Sequence, residues 1–345
     1  MTSSGDKRVA AAREQAPPLT ETKPVRVGVV GVGHLGQHHA RIYSEHPNAE
    51  LVAVCDTDRA QARRVAKSAK THCVHDHRQL IGQVDAVSIA VPTVLHFDIA
   101  RDFMESGVHV LVEKPITSTI QEASRLIRLS RSKNCILQVG HIERFNAAVV
   151  KLREIIEDPL YIVTERLGPY NARVRDVGVV LDLMIHDIDI ILQIVNSPVT
   201  RIDALGIGIF SEHEDLANAR LEFANGCVVN LNASRVSVKS NRKIRIYQPT
   251  AYITINYAKQ TLQVFYRSEI QKISKRGLLP VVPRARKFRL KQEEPLRAEL
   301  DHFLDCVRHG RTPDVTAEHG RNALDIAVEI TNQIREKVDA HRKRT

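Results

Sequence analysis

Three groups of residues have types and spacings that can do chemistry. The first is Gly31-Val32-Gly33-His34-Leu35-Gly36, a G-x-G-x-x-G run. In such a run the first glycine permits a tight turn, the second lets backbone approach a pyrophosphate, and the third lets a helix pack closely on a strand. Amides at the start of the following helix then face the phosphate charge. His34 and Leu35 lie in the same loop and count with the glycines as cofactor contacts. Asp56 stands 20 residues after Gly36, where a carboxylate accepts hydrogen bonds from a ribose 2′-hydroxyl. That carboxylate repels a 2′-phosphate, so the expected cofactor is NAD rather than NADP, with Arg59 as the nearby feature favouring NADP. The alternative for Asp56 is a turn or helix-cap acid ahead of Asp58.

Glu113-Lys114-Pro115 is the second group. It follows an apolar run, and in a doubly wound sheet ligands bind at the carboxyl ends of strands. A lysine there can polarise a substrate hydroxyl and stabilise developing oxyanion charge; the plain alternative is a solvated surface lysine. The third group lies in a helix pattern from Val179 to Val195, apolar almost all round and so expected to be buried. Asp182, His186, Asp189 and Gln193 recur in it at i, i+4, i+7 and i+11. At about 100° per residue they share one stripe roughly 60° wide, which suits the wall of a polar cleft better than a solvent face. His186 can change charge near neutral pH, as a base that takes a hydroxyl proton must. Asp182, one turn earlier, can orient the imidazole or hold substrate. A buried histidine satisfied by a carboxylate is the structural alternative. A metal site built from Asp182, His186, Asp187 and Asp189 lacks cysteine support and a third convergent ligand, so no metal is expected. His72, Cys73, His75, Asp76 and His77 also look metal-like, but their spacing fits no standard site and they are assigned to a loop.

These groups need a frame. Val25 to Val30, Leu51 to Cys55, Ala86 to Val91, His109 to Val112 and Ile136 to Val139 read as strands. Helix patterns over Leu35 to Ser44, Arg59 to Ala69, Phe97 to Ser106 and Ile120 to Ser130 separate them. The alternation predicts a parallel, doubly wound sheet over residues 24–145. Beyond it, helices at Ala147 to Glu157 and Val179 to Val195 accompany strand-like runs between Tyr161 and Tyr266, with Asn225-Gly226 as a hairpin signal. Short links between these runs predict an open, mostly antiparallel sheet. Helices over Pro295 to His309 and Thr316 to His341 are expected to pack back on the first domain. The fold class is therefore α/β plus α+β: a Rossmann-type domain, then a substrate and oligomerisation domain over 146–345. Residues 1–23 read as a polar extension without the apolar core of a signal peptide.

At 43% hydrophobic over 345 residues the chain can build two cores, and no apolar run is long enough to cross a bilayer. Five cysteines, odd in number and without a C-x-x-C pair, argue for a reducing compartment and against a disulfide framework or structural zinc. The cytoplasm is the expected location. A net charge of +10 permits an anionic partner. With 4% aromatics, no tryptophan and no helix-turn-helix or finger, nucleic acid is not the expected one. The basic excess gathers in Arg267 to Lys291 and in Arg342-Lys343-Arg344. It reads either as a solvated loop and tail or as a rim attracting a phosphorylated substrate.

The glycine loop, Ala90-Val91-Pro92-Thr93 with His96, Glu113-Lys114-Pro115 and Asp182-x-x-x-His186-x-x-Asp189 together resemble the Gfo/Idh/MocA oxidoreductases. The resemblance runs from Val25 to the C-terminal helix. It implies that Lys114 and His186 work at the hydride-transfer site with Asp182 beside them. It implies that Pro92, Thr93 and His96 line the cofactor, that Glu113 lies near its ribose, and that subunits form homodimers or homotetramers through the open sheet. Gly140-His141-Ile142-Glu143-Arg144-Phe145-Asn146 is similar to the G-x-x-x-R-F/Y-N-P stretch of members acting on nucleotide sugars, with Ala147 where that pattern has proline. Arg144 and Asn146 are accordingly expected to bind substrate, and Arg166, Arg173, Arg175 and Arg235 are further candidates for a diphosphate. The segments Leu181 to Leu192, Ala217 to Phe223 and Asn232 to Ser237 resemble the branch that oxidises UDP-N-acetylglucosamine at C3. The expected reaction is NAD-dependent oxidation of a sugar secondary alcohol to a ketone that an aminotransferase then uses in lipid A or surface-polysaccharide synthesis. A dehydrogenase of a free sugar or a polyol such as an inositol is one alternative; a non-catalytic, NAD-bound sensor is the other.

Overall fold

A computed structural model describes residues 23–170, 177–267 and 285–343. The extension over 1–22, Arg173, Arg175, most of the basic segment and Arg344 lie outside the described residues. The first sheet is parallel, in the order β3-β2-β1-β4-β5-β6. Its strands are β1 (Val25–Val30), β2 (Ala49–Cys55), β3 (His72–Val74), β4 (Ala86–Ile89), β5 (His109–Glu113) and β6 (Leu137–Gly140). Every residue of β1 except Arg26 is buried, as a strand covered on both faces requires. The connections are α1 (Gly36–Glu45), α2 (Arg59–Ala69), α3 (His96–Glu105) and α4 (Ile120–Ser132). Asp58 caps α2 by accepting from the Ala60 and Gln61 amides, and Thr119 with Glu122 forms a capping box on α4. β3 departs from the expected loop. It pairs with β2 at the sheet edge, and three residues are too few for an alternation to stand out in the sequence.

The second sheet runs β14-β13-β12-β11-β7-β10-β9-β8. Its strands are β7 (Tyr161–Leu167), β8 (Val199–Ile207), β9 (Leu216–Phe223), β10 (Val228–Ser234), β11 (Asn241–Gln248), β12 (Ala251–Asn256), β13 (Thr261–Tyr266) and β14 (Arg286–Lys287). Pairing is antiparallel except between β7 and β10. Gly226 turns the β9–β10 hairpin at φ +86°, where a side chain would be strained. Alternate residues of β7, including Ile162, Thr164 and Arg166, face the covered side. That side is packed by α5 (Ala147–Ile155) and α6 (Ile185–Val195), whose Leu152, Ile188 and Ile191 join Ile162, Ile244 and Ile246 in one core.

Two long helices tie the sheets together. α7 (Pro295–His309) sets Leu296, Leu300 and Phe303 against Val25, Val27 and Val29 of β1. Burying each such side chain contributes about 1.5–3 kcal/mol. α8 (Ala317–Arg342) spans both cores: Ala317 and Leu324 enter the first, Ala323, Ala327 and Ile330 the second. Among the described residues no helix is long and apolar enough to cross a membrane.

Candidate active site

The register of the first sheet brings the separate motifs level. Val30 ends β1 opposite Cys55 and Ile89, Ile89 lies opposite Val112, and Glu113 lies opposite Gly140. The next residues along each strand, Gly31, Asp56, Ala90, Lys114 and His141, therefore leave the sheet along its carboxyl edge. This is the edge where open α/β sheets bind ligands.

Gly31 sits at φ +82°, and a Cβ there would lie 2.7 Å from the Ala90 carbonyl. A Cβ on Gly36 would lie 1.8 Å from the Gly31 carbonyl, so this glycine is what allows α1 to start so close to the turn. Gly33 differs: its missing Cβ would meet nothing within 4 Å. Among the described residues no packing requires a glycine there, whereas a pyrophosphate approaching the backbone does. Among the described residues no side chain caps the start of α1; the Gln37 and His38 amides donate to the Gly33 and Leu35 carbonyls, and the uncapped helix start suits phosphate oxygens. These features fit a dinucleotide. His34 and Leu35 are exposed at the loop tip, and Pro92 and Thr93 stand at the neighbouring strand end with Pro92 exposed. Asp56 accepts the Val32 amide on Oδ2 and the Asp58 amide on Oδ1, each at 2.9 Å. Its carboxylate is thereby held beside the glycine loop, and the α2 cap falls to Asp58.

Two expected cofactor contacts are turned inward instead. His96 is buried, with its ring nitrogens 2.9 Å from the Pro115 and Val91 carbonyls. It stitches the loop after β4 to the loop carrying Lys114. Glu113 is also buried, and its Oε1 lies 3.1 Å from Nε2 of the fully buried His39.

Lys114 reaches the other sheet's helix. Its Nζ donates to the Asp182 backbone carbonyl at 2.7 Å and lies 3.5 Å from Asp182 Oδ1. Asp182 belongs to a π-helical turn, Val180–Met184, that leads into α6. A π turn spaces residues differently from an α-helix, and such turns recur at functional sites. The single stripe expected of Asp182, His186, Asp189 and Gln193 is broken by it. Asp182 consequently faces the Lys114 ammonium rather than orienting His186, and no hydrogen bond joins the aspartate to the imidazole. His186 stands one turn on, with Nδ1 shut from solvent and without a hydrogen-bond partner among the described residues. Burial first, and then the charge of Lys114, hold its pKa well below the ordinary imidazole value.

Arg144 and Asn146 are engaged by partners inside the protein. Arg144 is buried and grips Asp189 with Nε at 2.6 Å and Nη2 at 2.8 Å. Breaking that pair would leave Asp189 charged without its guanidinium, at about 3–5 kcal/mol, so only Nη1, buried and without a hydrogen-bond partner among the described residues, is left over. One charged hydrogen bond to a ligand returns only about 1.5–3 kcal/mol, so the internal pair wins. Asn146 caps α5 through Oδ1 and donates from Nδ2 to the Tyr257 carbonyl. Arg166 is held by Asp187 and Glu143, each at 2.8 Å, and Arg235 by Asp215 at 2.7 Å.

Two residues near the cleft escaped the sequence reading. His141 is fully buried at the end of β6, edge-on to His186 with ring centroids 6.5 Å apart. Its place at a strand's carboxyl end was the available signal. Arg242 in β11 lines a cleft of about 200 Å³ together with Asp182. No motif announces it, because only the pairing of β11 with β7 brings it there. Among the described residues no group of His, Cys, Asp or Glu side chains is arranged to hold a metal ion.

A Rossmann sheet offering a dinucleotide cradle, with a lysine at its carboxyl edge bonded to the turn ahead of a buried histidine, is the frame of an NAD-dependent oxidoreductase. The chain belongs to the Gfo/Idh/MocA family. Residues 25–141 match the family's NAD-binding Rossmann domain, and residues 162–254 match a Gfo/Idh/MocA C-terminal domain. The chain is 34% identical to UDP-N-acetylglucosamine 3-dehydrogenase of Acidithiobacillus ferrooxidans, over 89% of its own length and 96% of that protein's. It is 28% identical to the NAD(+)-dependent scyllo-inositol 2-dehydrogenase of Bacillus subtilis, over 90% and 94% of the two chains. The solved structure of the Acidithiobacillus enzyme superposes with a TM-score of 0.83, covering 90% of this chain and 98% of that one. Levoglucosan dehydrogenase in complex with NADH and levoglucosan shares the fold at a TM-score of 0.79 and 19% identity, over 91% and 98% of the chains.

Proposed function

We propose that the protein oxidises C3 of UDP-N-acetylglucosamine to a ketone. The observation that carries this is the hydrogen bond from Lys114, at the carboxyl edge of the Rossmann sheet, to Asp182 in the turn that leads into the helix carrying His186. The similarity across nearly the whole Acidithiobacillus enzyme supports the choice of sugar. Bound nicotinamide supplies the acceptor for the hydride leaving the carbinol carbon. His186, kept neutral by burial and by the Lys114 charge, takes the hydroxyl proton. The Lys114 ammonium stabilises the developing alkoxide, and Asp182 holds that ammonium at the cleft. Gly31, Gly33, Gly36 and Asp56 hold the cofactor, with Pro92 and Thr93 along its path.

The 3-keto sugar is the substrate an aminotransferase needs, and lipid A or surface-polysaccharide synthesis is the setting we assign to it. The five cysteines are free thiols, which supports a reducing compartment such as the cytoplasm. Association through the open face of the second sheet is supported by a stacked row there, Tyr161, Tyr247, Tyr252 and Phe265. The likeness to an inositol dehydrogenase favours a second reading, in which the alcohol belongs to a free polyol. Mass spectrometry after incubation with NAD and a panel of nucleotide sugars and polyols decides between them. A mass loss of two hydrogens confined to UDP-N-acetylglucosamine is the expected result; turnover confined to inositols removes the proposal.

A further inference from the structure

The cleft lined by Asp182, the partner of Lys114, also carries a positive charge that no acid among the described residues pairs with. Arg242 of β11 lies directly opposite Arg166 of β7, and directly opposed residues project to the same face of a sheet. That face is the covered one, where Thr164, Arg166, Ile244 and Ile246 are buried. Like charges placed opposite one another on a sheet are destabilising. Arg166 is neutralised by Asp187 and Glu143. The Arg242 side chain has no hydrogen bond or ion pair among the described residues, and it is exposed. Burial and the charge of Lys114 come first in lowering the His186 pKa, and Arg242 adds to them in the same direction.

The surroundings leave room for an anion. Arg242 shares its cleft of about 200 Å³ with Asp182, Gly168 and Ser240. Gly168 presents no side chain, and the nearest atom to its missing Cβ is Ser240 Oγ at 4.0 Å. Asp182, the acid of this cleft, already faces Lys114. A planar guanidinium without an acid is a ready fork for phosphate oxygens.

We propose that Arg242 receives the phosphate borne on the anomeric oxygen of the sugar, so that the cleft selects nucleoside diphosphate sugars over neutral sugars and polyols. The inference rests on the reading of Lys114 and His186 as the reacting groups, since it places the sugar between them and Arg242. Arg166 and Arg235 line the same cleft but are held by internal acids, as Arg144 is, so the anion contact falls first to Arg242. A neutral polyol would leave Arg242 unmatched, so the same residue separates the two substrate readings.

The test is the binding of UDP, by titration calorimetry, to the NAD-loaded full chain and its variants. Arg242→Gln should weaken UDP roughly ten- to a hundredfold, the worth of one charged hydrogen-bonded contact, and Arg242→Lys should lose less. Ser240→Glu places a carboxylate at the exposed mouth and should weaken UDP without touching the arginine, which keeps the test open if Arg242→Gln folds poorly. NADH affinity, read by fluorescence, reports whether each variant is intact. Equal UDP affinity in the wild type, Arg242→Gln and Ser240→Glu overturns the proposal, and so does a wild type that does not bind UDP. The oxidation itself is judged separately by product mass, so loss of turnover and loss of the anion site are told apart.

Discussion

Lys114 Nζ donates to the backbone carbonyl of Asp182 at 2.7 Å, tying the end of β5 to the π turn ahead of α6. The hydrogen bond is to backbone, so the lysine's position survives loss of the Asp182 carboxylate. Asp182→Asn should lower kcat by about fivefold or less, the worth of one partly exposed ion pair. Lys114→Met removes the charge itself and should lower kcat by roughly a hundredfold or more. Steady-state rates of the two variants check this; equal losses would give the carboxylate a larger role than the geometry assigns it.

The acid limb of the pH profile should reflect the environment of His186. Burial and Lys114 lower its pKa, so the neutral, proton-accepting form persists below the ordinary imidazole value. The kcat/KM profile should stay flat through about pH 6.5 and fall only at lower pH. A limb at or above that value would contradict the shift.

Stability should follow the same sign. His96, His109, His141, His186 and His319 all have pKa values lowered by burial. The unfolded chain then binds protons that the folded chain refuses, so stability rises with pH up to the ordinary imidazole range and is lost on acidification. Urea midpoints should drop between about pH 7 and pH 5; a midpoint that rises would reverse the account.

Gly33→Ala and Gly36→Ala should separate binding from folding. A Cβ at Gly33 meets no protein atom within 4 Å, whereas one at Gly36 lies 1.8 Å from the Gly31 carbonyl. Gly33→Ala should keep stability within about 0.5 kcal/mol while weakening NADH. Gly36→Ala should lose both. Urea unfolding and NADH fluorescence measure the two effects.

Asp189→Ala leaves Arg144 buried without its acid. A loss of about 3–5 kcal/mol in urea unfolding is expected. Wild-type stability would mean that Arg144 is free to turn outward after all.

The sequence carried most of the first sheet, because its central strands are nearly unbroken apolar runs and α1, α2 and α4 begin with a glycine or a capping side chain. Lys114 and His186 were also visible there, one after a strand and the other on an apolar helix where a polar residue is conspicuous. What stayed hidden depends on packing. The π turn at Val180–Met184 leaves no mark in the pattern of apolar residues, so Asp182 was aimed at His186. Arg144 and Asn146 sit in a stretch that looks like a substrate motif, but which way a side chain turns is decided by Asp189 and by the α5 cap. Arg242 enters the cleft through a strand pairing that spans 76 residues of sequence to Arg166.

A single-turnover measurement tests the central claim most directly: NADH formation from the NAD-loaded protein mixed with UDP-N-acetylglucosamine, in the wild type and in His186→Gln. The account predicts NADH formation slowed about a hundred- to ten-thousandfold in the variant, with NADH affinity unchanged. Equal single-turnover rates in the two proteins would contradict it.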